Sequence, residues 1–138
     1  QEMSPDIIQS TNTDYVMRRI RELFLGGSTI TIVLMGRCTW ARRYVDWELQ
    51  GSLRRGENIT PNGLLGIKLP SFGGFPPRFD ENLIPPNSTK TDCYARHMSY
   101  PTSTQQLVDA IEAAYQRRTT HGHLISNPRD RMSNSRTC

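Results

Sequence analysis

The stretch STITIVLMG, residues 28–36, decides the fold class. It is a continuous run of β-branched and aliphatic residues, which is typical of a strand buried on both faces of a parallel sheet. A second run of this kind, GLLGIKL, spans residues 63–69. Between the two runs, Val45, Leu49 and Leu53 recur at helical spacing. Strand, helix and strand in this order predict a parallel βαβ unit.

The flanking segments continue this alternation. A helix is predicted between Thr13 and Gly26, because apolar residues there recur every three or four positions. Residues 70–90 contain five prolines, which predict a long irregular loop. The segment CYARHMSYP, residues 93–101, is interpreted as an edge strand that a proline ends. A last helix follows a Thr102 or Ser103 cap. The expected class is therefore α/β with a mostly parallel sheet.

Composition limits the possible partners and compartments. The chain has 138 residues and a net charge of +4, with several arginines in its last quarter. These arginines are not interleaved with aromatic residues and match no reader motif, which argues against nucleic acid as a partner and predicts a solvated tail. No apolar run reaches the roughly 18 residues of a membrane span. The expected location is the cytoplasm, with no membrane contact.

The three cysteines, Cys38, Cys93 and Cys138, are far apart in the sequence. They form no CxxC pair and no cluster with histidine, so neither a disulfide framework nor a zinc site is expected. Reduced thiols fit this pattern and agree with the expected cytoplasmic location.

Ligands of open α/β sheets bind beyond the carboxyl ends of the strands. Residues 36–43 occupy that position, and Thr39 is the expected N-cap of the following helix. On this helix Tyr44, Glu48 and Ser52 share one face beside the apolar face. Glu48 is therefore expected at the border between core and solvent, where a partly desolvated carboxylate can hold a ribose diol or stabilise a cationic sugar transition state.

A simpler interpretation of these residues stays open. A glutamate on a surface helix usually only solvates the helix or pairs with a neighbour such as Arg43 or Arg55. Tryptophans such as Trp40 and Trp47 more often lie in the core or at its rim than under a ligand. Gly36 is more often a turn glycine than a phosphate cradle, because no phosphate-loop motif accompanies it.

The motif as a whole resembles the TIR-like domains of the Thoeris antiphage defence system. That family has a strand ending in glycine, then a threonine, a helix with the pattern (W/Y)VxxEI, and a strand with the pattern GIxLP. The matching residues here are Gly36, Thr39, Tyr44, Val45, Glu48, Leu49, Gly66, Ile67, Leu69 and Pro70. The resemblance runs from about Thr13 to Arg118.

The resemblance implies a three-layer, flavodoxin-like TIR fold and an enzyme that cleaves the nicotinamide–ribose bond of NAD. It implies release of a cyclic ADP-ribose-type signal, with NAD or a related nucleotide as the substrate and neither a cofactor nor a metal. Glu48 would be the catalytic residue. The implied substrate-binding residues are Gly36, Thr39, Trp40, Tyr44 and Trp47.

Compared with the family pattern, the sequence as given lacks the first strand and helix, so we expect an N-terminally incomplete fold. Its expected parts are a loop remnant at 1–12, the TIR-like domain at 13–118 and a polar basic tail at 119–138. Two alternatives to catalysis remain. One is an interaction module that assembles with its own copies or with other TIR domains, and the other is a non-catalytic nucleotide-binding sensor.

Overall fold

A computed structural model describes residues 30–138 of the chain. Three expectations concern residues 1–29, which lie outside the described part. They are the helix after Thr13, the N-terminal loop remnant and the lack of a first strand. Within the described part, β1 spans Ile30–Met35, β2 spans Gly63–Lys68 and β3 spans Arg96–Ser99. The three strands are parallel and lie in the order β1-β2-β3, with Ile30 opposite Gly63 and Leu65 opposite Arg96.

The helices connect and flank these strands. Helix α1 spans Arg43–Ser52, α2 is a single turn at Pro77–Asp80, and α3 spans Thr104–Thr120. Short 3-10 helices cover Thr39–Ala41 and Gly122–Leu124. None of the helices within residues 30–138 combines the length and the apolar character needed to cross a membrane.

Side chains that alternate along the strands build a core on each face of the sheet. On one face, Leu34, Leu65 and Ile67 pack against Leu107, Ile111 and Ala114 of α3. On the other face, Val33, Met35 and Leu64 pack against residues from α1 and α2, which include Leu49 and Phe79. The sheet is thus the middle of three layers, as expected for the predicted α/β class.

One glycine allows this packing. A Cβ atom at Gly66 would lie 2.7 Å from Phe79 Cζ and 2.7 Å from Met35 Cε. Real Cβ atoms do not approach other atoms this closely, so the aromatic ring of α2 can lie against β2 only because position 66 has no side chain.

Several predicted elements are confirmed, with shifted limits. The expected edge strand is β3, and Ser103 caps α3 by accepting a hydrogen bond from the Gln106 N–H at 3.2 Å. The proline-rich loop contains α2, whose Phe79 is fully buried. Helix α1 begins at Arg43, because residues 39–41 form a 3-10 turn first.

Candidate functional site

The turn after β1 is closed by its own hydrogen bonds. The Gly36 N–H donates to Thr39 Oγ1 at 2.9 Å, and this hydroxyl lies 3.3 Å from the Leu34 carbonyl, to which it donates. Thr39 therefore does not cap α1. The N-cap residue of α1 is Arg42, which makes no side-chain cap bond. The expectation of a Thr39 N-cap was wrong, because the hydroxyl serves the turn instead.

The loop after β2 reinforces this turn. The Gly73 N–H donates to the Gly36 carbonyl at 3.1 Å. A Cβ atom at Gly73 would lie 2.1 Å from the Arg37 carbonyl oxygen, so only glycine fits at this crossing. Half-buried Trp40 lies beside the next residue, since a Cβ atom at Gly74 would be 3.8 Å from its Cδ1. Gly36, Thr39 and Trp40 thus belong to a turn supported by the loop after β2.

An open groove of about 310 Å³ lies along α1, lined by Trp47, Glu48, Gly51, Ser52 and Asn62. Its polar floor is fixed, because the Ser52 and Thr31 hydroxyl oxygens lie 2.5 Å apart and Asn62 Nδ2 donates to Thr31 Oγ1 at 3.1 Å. Thr31 lies near the start of β1, and Asn62 directly precedes β2. The groove therefore lies toward the amino ends of the strands.

The structure consequently divides the predicted site. It brings Trp47 and Glu48 together in the groove, whereas Gly36 and Thr39 lie at the opposite, carboxyl end of β1. Tyr44 lies one turn before Glu48 and is 60% exposed, with its ring packed edge-on against Trp47 at 5.0 Å between centroids.

Glu48 itself is exposed. The expectation of a partly desolvated carboxylate was wrong, because the buried face of α1 contains Asp46 and Leu49 and is followed by buried Leu53. Of the predicted face, only Ser52 is buried, where it donates to the Glu48 carbonyl at 2.8 Å. Within residues 30–138 no side chain bonds to the Glu48 carboxylate, so this group is open to a ligand.

Sequence reasoning missed the charged pair beneath the helix. Asp46 is 2% exposed, and Arg78 of α2 is fully buried. Arg78 Nε donates to Asp46 Oδ1 at 2.9 Å, and Arg78 Nη2 donates to Oδ2 at 3.3 Å. Burial alone would raise the pKa of Asp46, but hydrogen bonds from Arg78 and from the Met132 N–H outweigh it and lower the pKa. The spacing of Asp46 and Leu49 on one helical face was the available signal.

The C-terminal segment is packed rather than solvated. The Met132 N–H donates to Asp46 Oδ2 at 2.8 Å, and the Met132 carbonyl accepts from Trp47 Nε1 at 2.8 Å. Arg129 pairs with Glu81 at 2.7 Å. The expectation of a solvated tail was wrong, because backbone groups of this segment satisfy buried polar side chains of α1 and α2.

The cysteine expectation also changes. Cys38 and Cys138 form a disulfide across 100 residues of sequence, while Cys93 is free. The prediction of three reduced thiols was wrong, because folding returns the C-terminus to the turn after β1, and sequence spacing does not show this. Within residues 30–138 no group of three or more His, Cys, Asp or Glu side chains is arranged to hold a metal ion.

A parallel sheet between helical layers, with a glutamate-bearing helix after β1, defines a TIR-like, flavodoxin-type α/β domain. Residues 1–72 match the family model described as "Thoeris protein ThsB, TIR-like domain". This match covers more than half of the 138 residues, so the chain belongs to that family. It includes β1, the turn after β1, α1 and β2, and all the predicted site residues lie in the turn and in α1. Neither the curated proteins nor the solved structures give a match.

Proposed function

We propose that this TIR-like domain cleaves NAD at the nicotinamide–ribose bond and makes a cyclic ADP-ribose-type signal in antiphage defence. The observation that carries the proposal is the position of Glu48, on the helix after β1 of a Thoeris TIR-like domain, in a groove beside Trp47. NAD or a related nucleotide is the proposed substrate, and the cytoplasm is the proposed location.

The groove supplies groups suited to this chemistry. Loss of nicotinamide leaves positive charge on the ribose, and a carboxylate near that carbon stabilises the charge. Glu48 provides the carboxylate, and its exposure leaves it accessible. Trp47 provides an aromatic wall, and Asn62 and Ser52 provide polar groups for ribose hydroxyls.

The direct test is nicotinamide release from NAD by the full chain. Glu48→Gln keeps the size of the side chain and removes its charge, so we expect a loss of roughly 100-fold or more, about 2.7 kcal/mol in the barrier. Glu57→Gln is the matched control, because Glu57 is an exposed glutamate outside the groove. Equal release by Glu48→Gln and the parent chain would reject the catalytic assignment.

A second candidate is a non-catalytic module that assembles with copies of itself or with other TIR domains, or that senses a nucleotide. The openness of the groove and the exposure of Glu48 favour it, because catalytic carboxylates usually lie in water-excluded sites. Among the described strands, β3 is an edge of the sheet with mostly exposed residues and offers a surface for assembly.

The two candidates are separated by one pair of measurements. Sedimentation at increasing protein concentration reports assembly, and nicotinamide release reports cleavage. Concentration-dependent assembly without nicotinamide release would favour the interaction module. A nucleotide that stays bound through purification without turnover would favour the sensor.

A further inference from the structure

The C-terminal segment is held to the domain in two different ways. Residues 124–132, here called the anchor, contact buried side chains of α1 and α2. Residues 133–138, here called the latch, contact exposed backbone near the turn after β1. The boundary between the two lies at Met132, and the difference in their burial predicts a difference in local stability.

The anchor is built into the core. Leu124 and Ile125 pack against the apolar cluster on the α1 side of the sheet. The Ser126 N–H donates to Asn82 Oδ1 at 2.8 Å, and buried Arg78 donates to Asn127 Oδ1 at 2.8 Å. Met132 bonds to Asp46 as described above. These bonds satisfy buried polar groups, so opening the anchor would leave hydrogen-bonding groups of Asp46, Arg78 and Asn82 without these partners in the core.

The latch is held by few and exposed contacts. The Arg136 N–H donates to the Ala41 carbonyl at 2.8 Å, and the Arg43 N–H donates to Ser135 Oγ at 3.2 Å. Arg43 Nη1 lies 3.4 Å from the Ser133 carbonyl. Exposed bonds of this kind contribute little net stability, because water replaces them. The covalent bond between Cys138 and Cys38 is therefore the main restraint on the latch.

The disulfide ends in the turn that carries Gly36, Thr39 and Trp40, three of the predicted substrate-binding residues. Cys38 lies between Gly36 and Thr39, and its carbonyl accepts from the Ala41 N–H at 3.0 Å. Residues on both sides of Ala41 thus contact the latch: Cys38 covalently and Arg43 by hydrogen bonds. When the bond is formed, residues 133–138 lie against the turn and the first residue of α1.

We propose that the Cys38–Cys138 disulfide is a redox-operated latch, which holds residues 133–138 against the turn Gly36–Trp40 and releases them on reduction. Cys138 is exposed and Cys38 is half-buried, so the outer sulfur is the accessible one. Disulfides that bridge exposed segments are the labile ones, and disulfides of reducing compartments are usually redox-sensing.

The reductant is a dithiol. Its first thiolate attacks the Cys138 sulfur, the S–S bond breaks, and Cys38 leaves as a thiolate. Its second thiol then displaces Cys138 from the mixed disulfide. Two electrons and two protons pass to the protein, which gains two thiols, and the dithiol becomes a cyclic disulfide.

This inference deepens the proposed function and rests on it, because the latch contacts the turn Gly36–Trp40, which is one half of the divided site. Its test does not depend on NAD. The full chain is air-oxidised, and amide hydrogen exchange is measured by NMR before and after reduction with dithiothreitol. The Arg136 amide, which bonds to Ala41, should exchange roughly tenfold faster or more after reduction. The Met132 amide, which bonds to Asp46, should change less than about twofold.

Two variants control the measurement. Cys138→Ser should exchange like the reduced parent under all conditions, and Cys93→Ser should behave like the parent in both states, because Cys93 lies outside the disulfide. Thiol titration of the oxidised parent should find one free thiol. The proposal would be overturned by three free thiols in the oxidised parent, or by an exchange rate of the Arg136 amide that reduction does not change. An equal acceleration of amide exchange at Met132 and in β2 would also overturn the proposal, since the disulfide would then stabilise the whole domain.

Nicotinamide release in the two states connects the latch with the site. We expect faster release after reduction, and equal release in both states would reject control of the site by the latch. No release in either state would count against the proposed function, while the exchange result would still decide whether the latch opens.

Discussion

The two faces of α1 carry two carboxylates in very different surroundings. Asp46 and Glu48 are two residues apart, which places them about 200° apart around the helix. Asp46 is buried and receives hydrogen bonds from Arg78 and Met132, whereas Glu48 is exposed beside the groove. The difference shows that the face of α1 on which a carboxylate lies decides its role. The buried carboxylate stabilises the domain, and the exposed one is available to a ligand.

The largest effect is expected from Asp46→Ala. This substitution leaves Arg78 charged and fully buried without its partner, so it should destabilise the domain by about 3–5 kcal/mol. Urea unfolding followed by tryptophan fluorescence measures the change. The double substitution Asp46→Leu with Arg78→Leu should be less damaging, because it leaves no unpaired charge. A loss below about 1 kcal/mol in Asp46→Ala would mean that the pair does not carry the packing of α1 on α2.

The pH dependence of stability should identify the same carboxylate. The pKa of Asp46 is lowered from its ordinary value of 3.8 in the folded state, so folding favours the ionised form. Its contribution is complete well above pH 3.8 and is lost as the pH falls through the lower, folded-state pKa. The urea midpoint of the parent chain should therefore fall more steeply in acid than that of Asp46→Asn. Parallel pH profiles would contradict the assignment.

A smaller effect is expected at the rim between the two faces. Trp47→Phe removes the indole N–H that donates to the Met132 carbonyl at 2.8 Å. The half-buried carbonyl loses its partner, so unfolding free energy should fall by about 1 kcal/mol. The exchange rate of the Met132 amide should rise with it. Tyr44→Phe is the control, because it keeps the ring next to Trp47 and removes a hydroxyl whose hydrogen bond from Arg43 is exposed. An unchanged stability in Trp47→Phe would show that the anchor does not depend on this bond.

The smallest effect on stability is expected at Glu48. Because this side chain is exposed, Glu48→Gln should change the unfolding free energy by less than about 0.5 kcal/mol. Combined with a large loss of nicotinamide release, this result would separate the two faces of α1 by function. A destabilisation of several kcal/mol would place Glu48 with Asp46 among the structural residues.

Much of the fold was predictable because local patterns and burial agree. The run that forms β1, the GLLGIK run of β2 and the Ser103 cap of α3 each appear where the sequence indicates. The site was predictable only in part. Trp47 and Glu48 do line one groove, but Gly36 and Thr39 lie at the other end of β1. The helix that follows a parallel strand runs in the opposite direction, so its later residues lie near the start of that strand.

The sequence by itself determined the parallel α/β architecture and the TIR-like family, because both follow from contiguous motifs between residues 28 and 70. Only the tertiary structure decided which carboxylate of α1 is buried, because Arg78 and Met132 reach Asp46 from 32 and 86 residues away. The tertiary structure also decided which residues the C-terminal segment contacts. The partners of Cys138 and of the anchor are distant in sequence, and no local pattern records contacts that form only when the chain folds.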